Sequence, residues 1–303
     1  TCTPCRHRTL LEGIRAAAGD KAEILYAKGS NIYYDAETEK AATGIRPLER
    51  GDNRELLDEA LRMASRSDII VAALGECAEM SGESASRTSL EIPDAQQDLL
   101  KALVKTGKPV VLLLFTGRPL VLNWEDANVH SILNVWFGGS ETGDAVADVL
   151  FGKITPSGKL TTTFPRSVGQ LPLFYNHLNT GRPDPDSHIF NRYASNYLDE
   201  SNEPLYPFGY GLSYTDFVYG ELQISSETLP KNGELTVSVT VTNKGNYDGY
   251  ETVQLYLHDI YAEIARPVKE LKGFERVFLK SGESRDVKFV ITEDDLKFYN
   301  SEL

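Results

Sequence analysis

The first half of the sequence alternates between a helical hydrophobic period and short apolar runs. Residues 55–67 place apolar side chains on one helical face and predict a helix. The runs Asp68–Leu74 and Val110–Phe115 are rich in aliphatic residues, many of them β-branched, and predict buried strands. Between them, Pro93 in a first helical turn and Gly107 after the last periodic residue predict a second helix.

Three further elements follow from weaker patterns. Ile24–Gly29 predicts a short strand, and Ser131–Trp136 predicts another. Ser140 is placed to cap a helix over Glu141–Phe151, which Gly152 would end. Strands that alternate with helices of this length predict a mostly parallel sheet covered by helices.

These patterns divide the chain into three parts. Residues 1–165 are predicted to form a mostly parallel α/β sandwich domain. Residues 166–215 keep neither period and are rich in Pro, Gly, Asn and Tyr, which predicts an irregular connecting segment packed on the domains. From residue 216 to residue 303 the period becomes two, as in Leu235–Thr242, and turn signals separate the strands. An all-β, immunoglobulin-like sandwich of the fibronectin type III-like kind is predicted, because the Cys-Trp-Cys hallmark of true immunoglobulin domains is absent.

Charge and hydropathy exclude several classes of partner. The 303 residues include 31 Lys and Arg against 44 Asp and Glu, which gives a net charge of −13. A negative field of this size repels nucleic acid and anionic membrane surfaces. No apolar run approaches the roughly 18 residues of a membrane helix. The sequence therefore predicts no nucleic-acid partner and no membrane partner, whereas a neutral substrate such as a sugar is compatible with it.

The cysteines do not indicate a metal or a cofactor. Cys2 and Cys5 have the spacing of half a zinc site or of a redox pair, but no second ligand pair follows. Cys77 has no histidine nearby in sequence, and no G-x-S-x-G elbow occurs. We predict no cofactor and no metal site, and the role of Cys2 and Cys5 stays open.

A polar loop after Leu74 is the segment that favours chemistry. Ligands bind beyond the carboxyl ends of parallel strands, and this loop follows such an end. It contains four carboxylates: Glu76, Glu79, Glu83 and Glu91. By position alone, each is more often a solvated loop residue. A glycosidase needs two carboxyl groups on opposite sides of the scissile bond, and this loop supplies candidates for only one of them.

Several motifs together resemble one family. The segment Ser81–Pro93 (SGESASRTSLEIP) is similar to the acid/base loop of glycoside hydrolase family 3, and most of all to that of its bacterial periplasmic β-glucosidases. The similarity continues in family order through residues 106–110, 117–119, 136–143, 147–152, 156–160, 164–170, 175–183, 205–215 and 266–274. It covers nearly the whole chain after about residue 9.

This resemblance implies a specific chemistry. Glu83 would be the general acid/base of a retaining mechanism that hydrolyses terminal β-glucosidic bonds in a β-linked gluco-oligosaccharide or glucoside. Arg87 would orient the loop or the carboxylate, and an ion pair between Arg87 and Glu91 is an equal alternative. In the family the nucleophile is an Asp of a (β/α)₈ barrel, which would lie upstream of residue 1. We therefore expect a periplasmic or secreted glycoside hydrolase of which this chain alone is inactive.

Other interpretations stay open at this point. A non-catalytic carbohydrate-binding or assembly module is the main alternative. A nucleotide-binding protein is disfavoured, since Gly138–Gly143 has neither the spacing nor the lysine of a phosphate loop. The family's sandwich continues beyond the sequence that ends at Leu303, so the last domain is expected to be truncated. Sugar and linkage specificity and oligomeric state do not follow from the sequence.

Overall fold

The backbone forms two compact units. The computed structural model describes residues 7–44, 48–183, 191–300 and 302. The first unit runs to Phe151 and includes Phe164–Leu171, whereas the second contains Gly152–Thr163 and the chain from Pro172 onward. The domain boundaries predicted from the sequence remain predictions, and the Cys2–Cys5 motif lies outside the described residues.

The first unit contains a three-stranded parallel sheet and six helices of four residues or more among its described residues. Its elements are α1 (Leu10–Ala18), α2 (Ala36–Thr43), α3 (Asn53–Ser65), β1 (Ile70–Gly75), α4 (Asp94–Val104), β2 (Val110–Phe115), α5 (Asn123–Asn128), β3 (Ser131–Asn134) and α6 (Thr142–Leu150). The strand order is β1-β2-β3. Ile70 pairs with Val110, and Val111 pairs with Ser131, so all three strands run in the same direction.

The predicted α/β class is confirmed, and most elements lie where the pattern put them. β2 begins and ends at the predicted residues, and α3 is displaced by only two. The strand predicted at Ile24–Gly29 is wrong: the segment forms no ladder, because no described strand offers its backbone a partner. Ser140 is not the cap of α6, which follows Glu141 without a side-chain capping bond.

The central strand lies in the core of this unit. Val110, Leu112, Leu113 and Leu114 of β2 have no exposed surface, as expected for a strand paired on both edges. Leu100 on α4 is equally buried against this core. β1 lies at an edge of the sheet, and buried and exposed residues alternate along it from Ile70 to Leu74.

Among its described residues, the second unit contains six β-strands and one short helical turn. Its elements are β4 (Phe217–Tyr219), β5 (Gln223–Ile224), β6 (Glu234–Asn243), β7 (Gly249–Leu257), β8 (Glu270–Leu279), β9 (Ser284–Thr292) and α7 (Glu293–Leu296). β6 pairs antiparallel with β4, β5 and β9, and β7 pairs antiparallel with β8. Val241, Val253 and Val277 lie in the core shared by these strands. The predicted antiparallel domain is confirmed.

In the described part of the first unit, one glutamate is buried without a partner on one of its two carboxyl oxygens. Glu125 on α5 is 1% exposed, and its Oε1 atom has no hydrogen-bond partner among the described residues. Burial raises the pKa of this carboxyl, although its own backbone amide, Gln97 and the charge of Lys101 oppose the rise. Compared with the unfolded chain, the folded state therefore favours the protonated form of Glu125.

We expect Glu125→Gln to remove a pH-dependent loss of stability. Between the carboxyl pKa of the unfolded chain, about 4.3, and the higher folded pKa, only the folded state holds the proton. The free energy of unfolding should therefore fall with rising pH in that window, by about 1.4 kcal/mol per pH unit. Glutamine is neutral and similar in shape, so the variant should lack this fall.

Urea unfolding at several pH values from 4 upward measures the effect. The difference between the variant and the parent should grow through the window and then stay constant. A difference that is independent of pH would contradict the prediction.

Candidate active site

The site is built where β1 and β2 end at the same edge of the sheet. Glu76 directly follows β1, and Thr116 directly follows β2. Gly75 joins β1 to Glu76 with φ +133°, and a Cβ atom there would lie 1.9 Å from the carbonyl oxygen of Phe115. Gln96 of α4 fixes this point, since its side chain accepts from the Gly75 amide at 2.8 Å and donates to its carbonyl at 2.9 Å. A rigid strand end therefore carries Glu76.

Glu76 is a fully buried carboxylate with partners on both oxygens. Oε2 accepts hydrogen bonds from the Thr116 hydroxyl at 2.8 Å and from the Gly117 amide at 3.2 Å. Oε1 accepts from Arg87 Nη1 at 2.8 Å and forms an ion pair with Arg118 Nε at 3.2 Å. Its side chain has no exposed surface, while those of Arg87 and Arg118 are 13% and 21% exposed. Two cations compensate the burial of this charge.

Arg118 connects this carboxylate to the loop that carries Glu83. Its Nη2 atom donates to the carbonyl oxygens of Met80 and Ala85, the latter at 2.8 Å, and to the hydroxyl of Ser81 at 3.3 Å. Met80 and Ala85 stand on either side of Glu83 in the sequence. One guanidinium group thus holds both ends of the loop tip.

Arg87 holds the return arm of the same loop. Besides its bond to Glu76, its Nη2 atom donates to the carbonyl oxygen of Glu91 at 3.0 Å and to the hydroxyl of Tyr33 at 3.3 Å. Burial raises the pKa of the Tyr33 phenol although Arg87 lowers it, so the hydroxyl stays protonated at neutral pH. The Arg87–Glu91 ion pair considered from the sequence is not formed, because Arg87 pairs with the Glu76 carboxylate and reaches only the backbone of Glu91.

Glu83 lies at the exposed tip of the loop. The Ala85 amide donates to the Gly82 carbonyl at 3.3 Å, which closes a turn with Glu83 and Ser84 at its centre. Ser84 has φ +59° at the third turn position, where type II turns require a positive value. Glu83 is exposed and has no hydrogen-bond or ion-pair partner in the described part of the chain. The carboxylate is therefore presented outward on a defined turn.

The other candidates take lesser roles. Glu79 and Glu91 are exposed, in keeping with solvated loop residues. Burial raises the pKa of the Cys77 thiol, whose Sγ donates to the Ala42 carbonyl at 3.3 Å, so it is a poor nucleophile at neutral pH. No cluster of three or more His, Cys, Asp or Glu side chains within the described ranges is arranged to hold a metal ion. Among the same residues, no helix is long and apolar enough to cross a membrane.

Sequence reasoning treated Glu76 as one loop carboxylate among four and gave Arg118 no role. Two signals were present. Glu76 follows an apolar strand directly, at the position where a polar side chain is held most rigidly, and Arg118 is the third residue after the next strand. Their pairing depends on strand register, which a single sequence does not specify.

Two family descriptions match the chain. Residues 1–214 match the glycosyl hydrolase family 3 C-terminal domain, and residues 251–303 match the fibronectin type III-like domain. These two matches agree with the parallel sheet of the first unit and the antiparallel strands of the second.

Named relatives and a solved structure agree with these matches. The periplasmic β-glucosidase of Salmonella typhimurium is 49% identical over 97% of this chain and 39% of its own length. A β-xylosidase of Formosa agariphila is 39% identical over 99% of this chain and 38% of its own length. The crystal structure of a Listeria innocua β-glucosidase in complex with gluconolactone superposes with a TM-score of 0.76 at 44% identity, covering 81% of this chain and 34% of that one. The chain thus spans less than two fifths of each.

We expect Gly75→Ala to destabilise the first unit by more than about 2 kcal/mol, because the added Cβ meets a backbone oxygen and the positive φ is unfavourable for alanine. Gly139→Ala is the matched control, since a Cβ there meets nothing within 4 Å. Thermal unfolding of the two variants should show a clear fall in the midpoint for Gly75→Ala only. Equal midpoints would contradict the proposed rigidity of this strand end.

Proposed function

The chain belongs to glycoside hydrolase family 3, and on that basis we propose that it supplies the general acid/base of a retaining β-glucosidase. The observation that carries the proposal is the position of Glu83. It is an exposed carboxylate on a turn whose two ends are held by one buried ion-pair cluster, beyond the carboxyl edge of a parallel sheet.

In the proposed first step, the Glu83 carboxylic acid donates its proton to the glycosidic oxygen. The bond between that oxygen and the anomeric carbon breaks, and a carboxylate nucleophile forms a bond to the same carbon. In the second step, the Glu83 carboxylate takes a proton from water, which attacks the anomeric carbon and releases the nucleophile. Glu83 thus alternates between its two protonation states and is restored after each turnover.

The nucleophile is proposed to come from an upstream (β/α)₈ barrel. The chain spans only 39% of the Salmonella relative, which leaves room for such a domain in the whole protein. A general acid needs a raised pKa at neutral pH, and an apolar or anionic environment produces one. We propose that the barrel covers the exposed Glu83 and provides this environment together with the sugar pocket.

A terminal β-linked glucose is the proposed sugar, in a β-linked gluco-oligosaccharide or glucoside. Relatives named β-glucosidases support it, while the β-xylosidase of Formosa agariphila shows that a related chain acts on a different sugar. A periplasmic or secreted location is proposed from the name of the Salmonella relative. A non-catalytic carbohydrate-binding module is not favoured, because relatives named as hydrolases match almost the whole chain.

Hydrolysis of an aryl β-glucoside tests the proposal. The chain is assayed alone, mixed with the segment of the Salmonella enzyme that it does not cover, and fused behind that segment. We expect no activity from the chain alone and activity from the fusion. Glu83→Gln should lower the activity of the fusion by about 10²- to 10⁴-fold, the contribution of a general acid/base.

Glu79→Gln provides the control, since it makes the same chemical change on an exposed carboxylate of the same loop. It should leave the activity within about twofold of the parent, as expected for a solvated surface residue. Hydrolysis by the chain alone would show that a second carboxylate of this chain is the nucleophile. Full activity of Glu83→Gln in the fusion would reject the acid/base assignment.

A further inference from the structure

We propose that Glu76 is a positioning residue for the acid/base, acting on Glu83 through Arg87 and Arg118. The inference rests on the proposed function of Glu83 and adds to it the device that holds this residue in place. Glu76 does not touch the reacting atoms; its carboxylate holds the two arginines that set the position of the loop tip.

Glu76 belongs to the end of the sheet and not to the loop tip that carries Glu83. Its backbone amide donates to the Phe115 carbonyl at 2.7 Å, which extends the pairing of β1 and β2 by one residue. Thr116 and Gly117 hold Oε2 from the neighbouring strand end. The carboxylate therefore has a fixed position and orientation, which is the requirement for an anchor.

Only a short length of chain lies between the two points at which Arg118 binds the loop backbone. Arg118 bonds to the carbonyls of Met80 and Ala85, so only residues 81–84 lie between its two backbone contacts. The Ser81 side chain is held by the same Nη2 atom. A span this short, closed by its own turn hydrogen bond, leaves Glu83 little room to move.

The charge of Glu76 compensates two cations at once. Two guanidinium groups that are 13% and 21% exposed approach the same oxygen of Glu76. With a neutral side chain at position 76, these two cations would face each other without compensation in a site that water barely reaches. Removal of one partner from a buried ion cluster is strongly destabilising, and here the strain would be relieved by movement of the loop. Glu76→Gln therefore keeps the shape of the side chain and removes the charge that holds the loop.

The rate of proton transfer from a general acid depends on its position relative to the oxygen that it protonates. The proton must be transferred over a hydrogen-bond distance, and a displacement of about 1 Å lowers a rate by roughly 10²-fold. A loosened loop should therefore impair the proton transfer by Glu83 and spare steps that need no proton.

Hydrogen exchange on the chain itself tests the anchor. In Glu76→Gln, amides of residues 77–91 should exchange at least about tenfold faster, whereas α4 and β2 should exchange as in the parent. Arg118→Met removes one arginine and leaves Glu76 paired with Arg87. It should produce the same faster exchange in residues 77–91, so the test does not depend on the correct folding of Glu76→Gln alone. Glu79→Gln should change nothing. Unchanged exchange of the loop in both anchor variants would overturn the proposal.

The kinetic test uses the fusion described above and two substrates that differ in their leaving group. An aryl β-glucoside with a phenol leaving group needs protonation, whereas a 2,4-dinitrophenyl β-glucoside does not. For Glu76→Gln we expect kcat/KM to fall by about 10- to 100-fold on the first substrate and by less than about threefold on the second. Glu83→Gln should also lower kcat/KM more on the first substrate than on the second, and its effect on the first substrate should exceed that of Glu76→Gln.

The outcomes distinguish the positioning role of Glu76 from the acid/base role of Glu83. An equal fall on both substrates for Glu76→Gln would indicate a merely structural role and would overturn the positioning role. If Glu83→Gln itself showed no dependence on the leaving group, the proposed function would fail, while the exchange experiment would still decide whether Glu76 holds the loop.

Discussion

The candidate site depends on one buried charge. A carboxylate without exposed surface is tolerated only when cations and hydrogen-bond donors surround it, and Glu76 obtains them from two places at once. Thr116, Gly117 and Arg118 follow the neighbouring strand, and Arg87 returns from the loop. Parallel strands make this possible because their carboxyl ends meet at one edge of the sheet. The need to compensate a single charge thus determines the course of the whole loop.

The second unit uses the same physical device for a different purpose. Glu251 on β7 is 7% exposed, and its Oε1 accepts from the Tyr219 hydroxyl at 2.9 Å and pairs with Lys159 at 3.2 Å. Burial and the adjacent carboxylate raise the pKa of Tyr219, so the phenol remains a donor. Lys159 comes from a segment about 90 residues away in sequence, and the pair fastens that segment to the sandwich strands. Glu251 thus fixes a connecting segment to the strands, whereas Glu76 fixes the arginines that hold the loop of Glu83.

The sequence predicted elements that depend on a local hydrophobic pattern, and it did not predict contacts that depend on how distant strands pair. The apolar run of β2 gave its bounds correctly, since four of the six residues of this central strand are buried. The strand predicted at Ile24–Gly29 was wrong, because a strand exists only where a neighbouring strand offers hydrogen-bond partners to its backbone groups. Glu83 was proposed as the acid/base only through the resemblance to a family, since an exposed loop glutamate has no local signature, and this role stays a prediction. Glu76 and Arg118 were missed because their contact spans 42 positions.

A residue that must give and then take a proton faces two opposing structural demands. It must be held within hydrogen-bond reach of the scissile oxygen, yet its carboxylate must not be neutralised by partners of its own. Under the proposed function the loop would satisfy both demands, because the two arginines pair with Glu76 while Glu83 keeps its oxygens free. If Arg87 or Arg118 paired with Glu83 instead, the charge of the carboxylate would be stabilised and its proton lost too readily. Sequestering both guanidinium groups on a buried neighbour is therefore part of what would let an exposed glutamate serve as an acid.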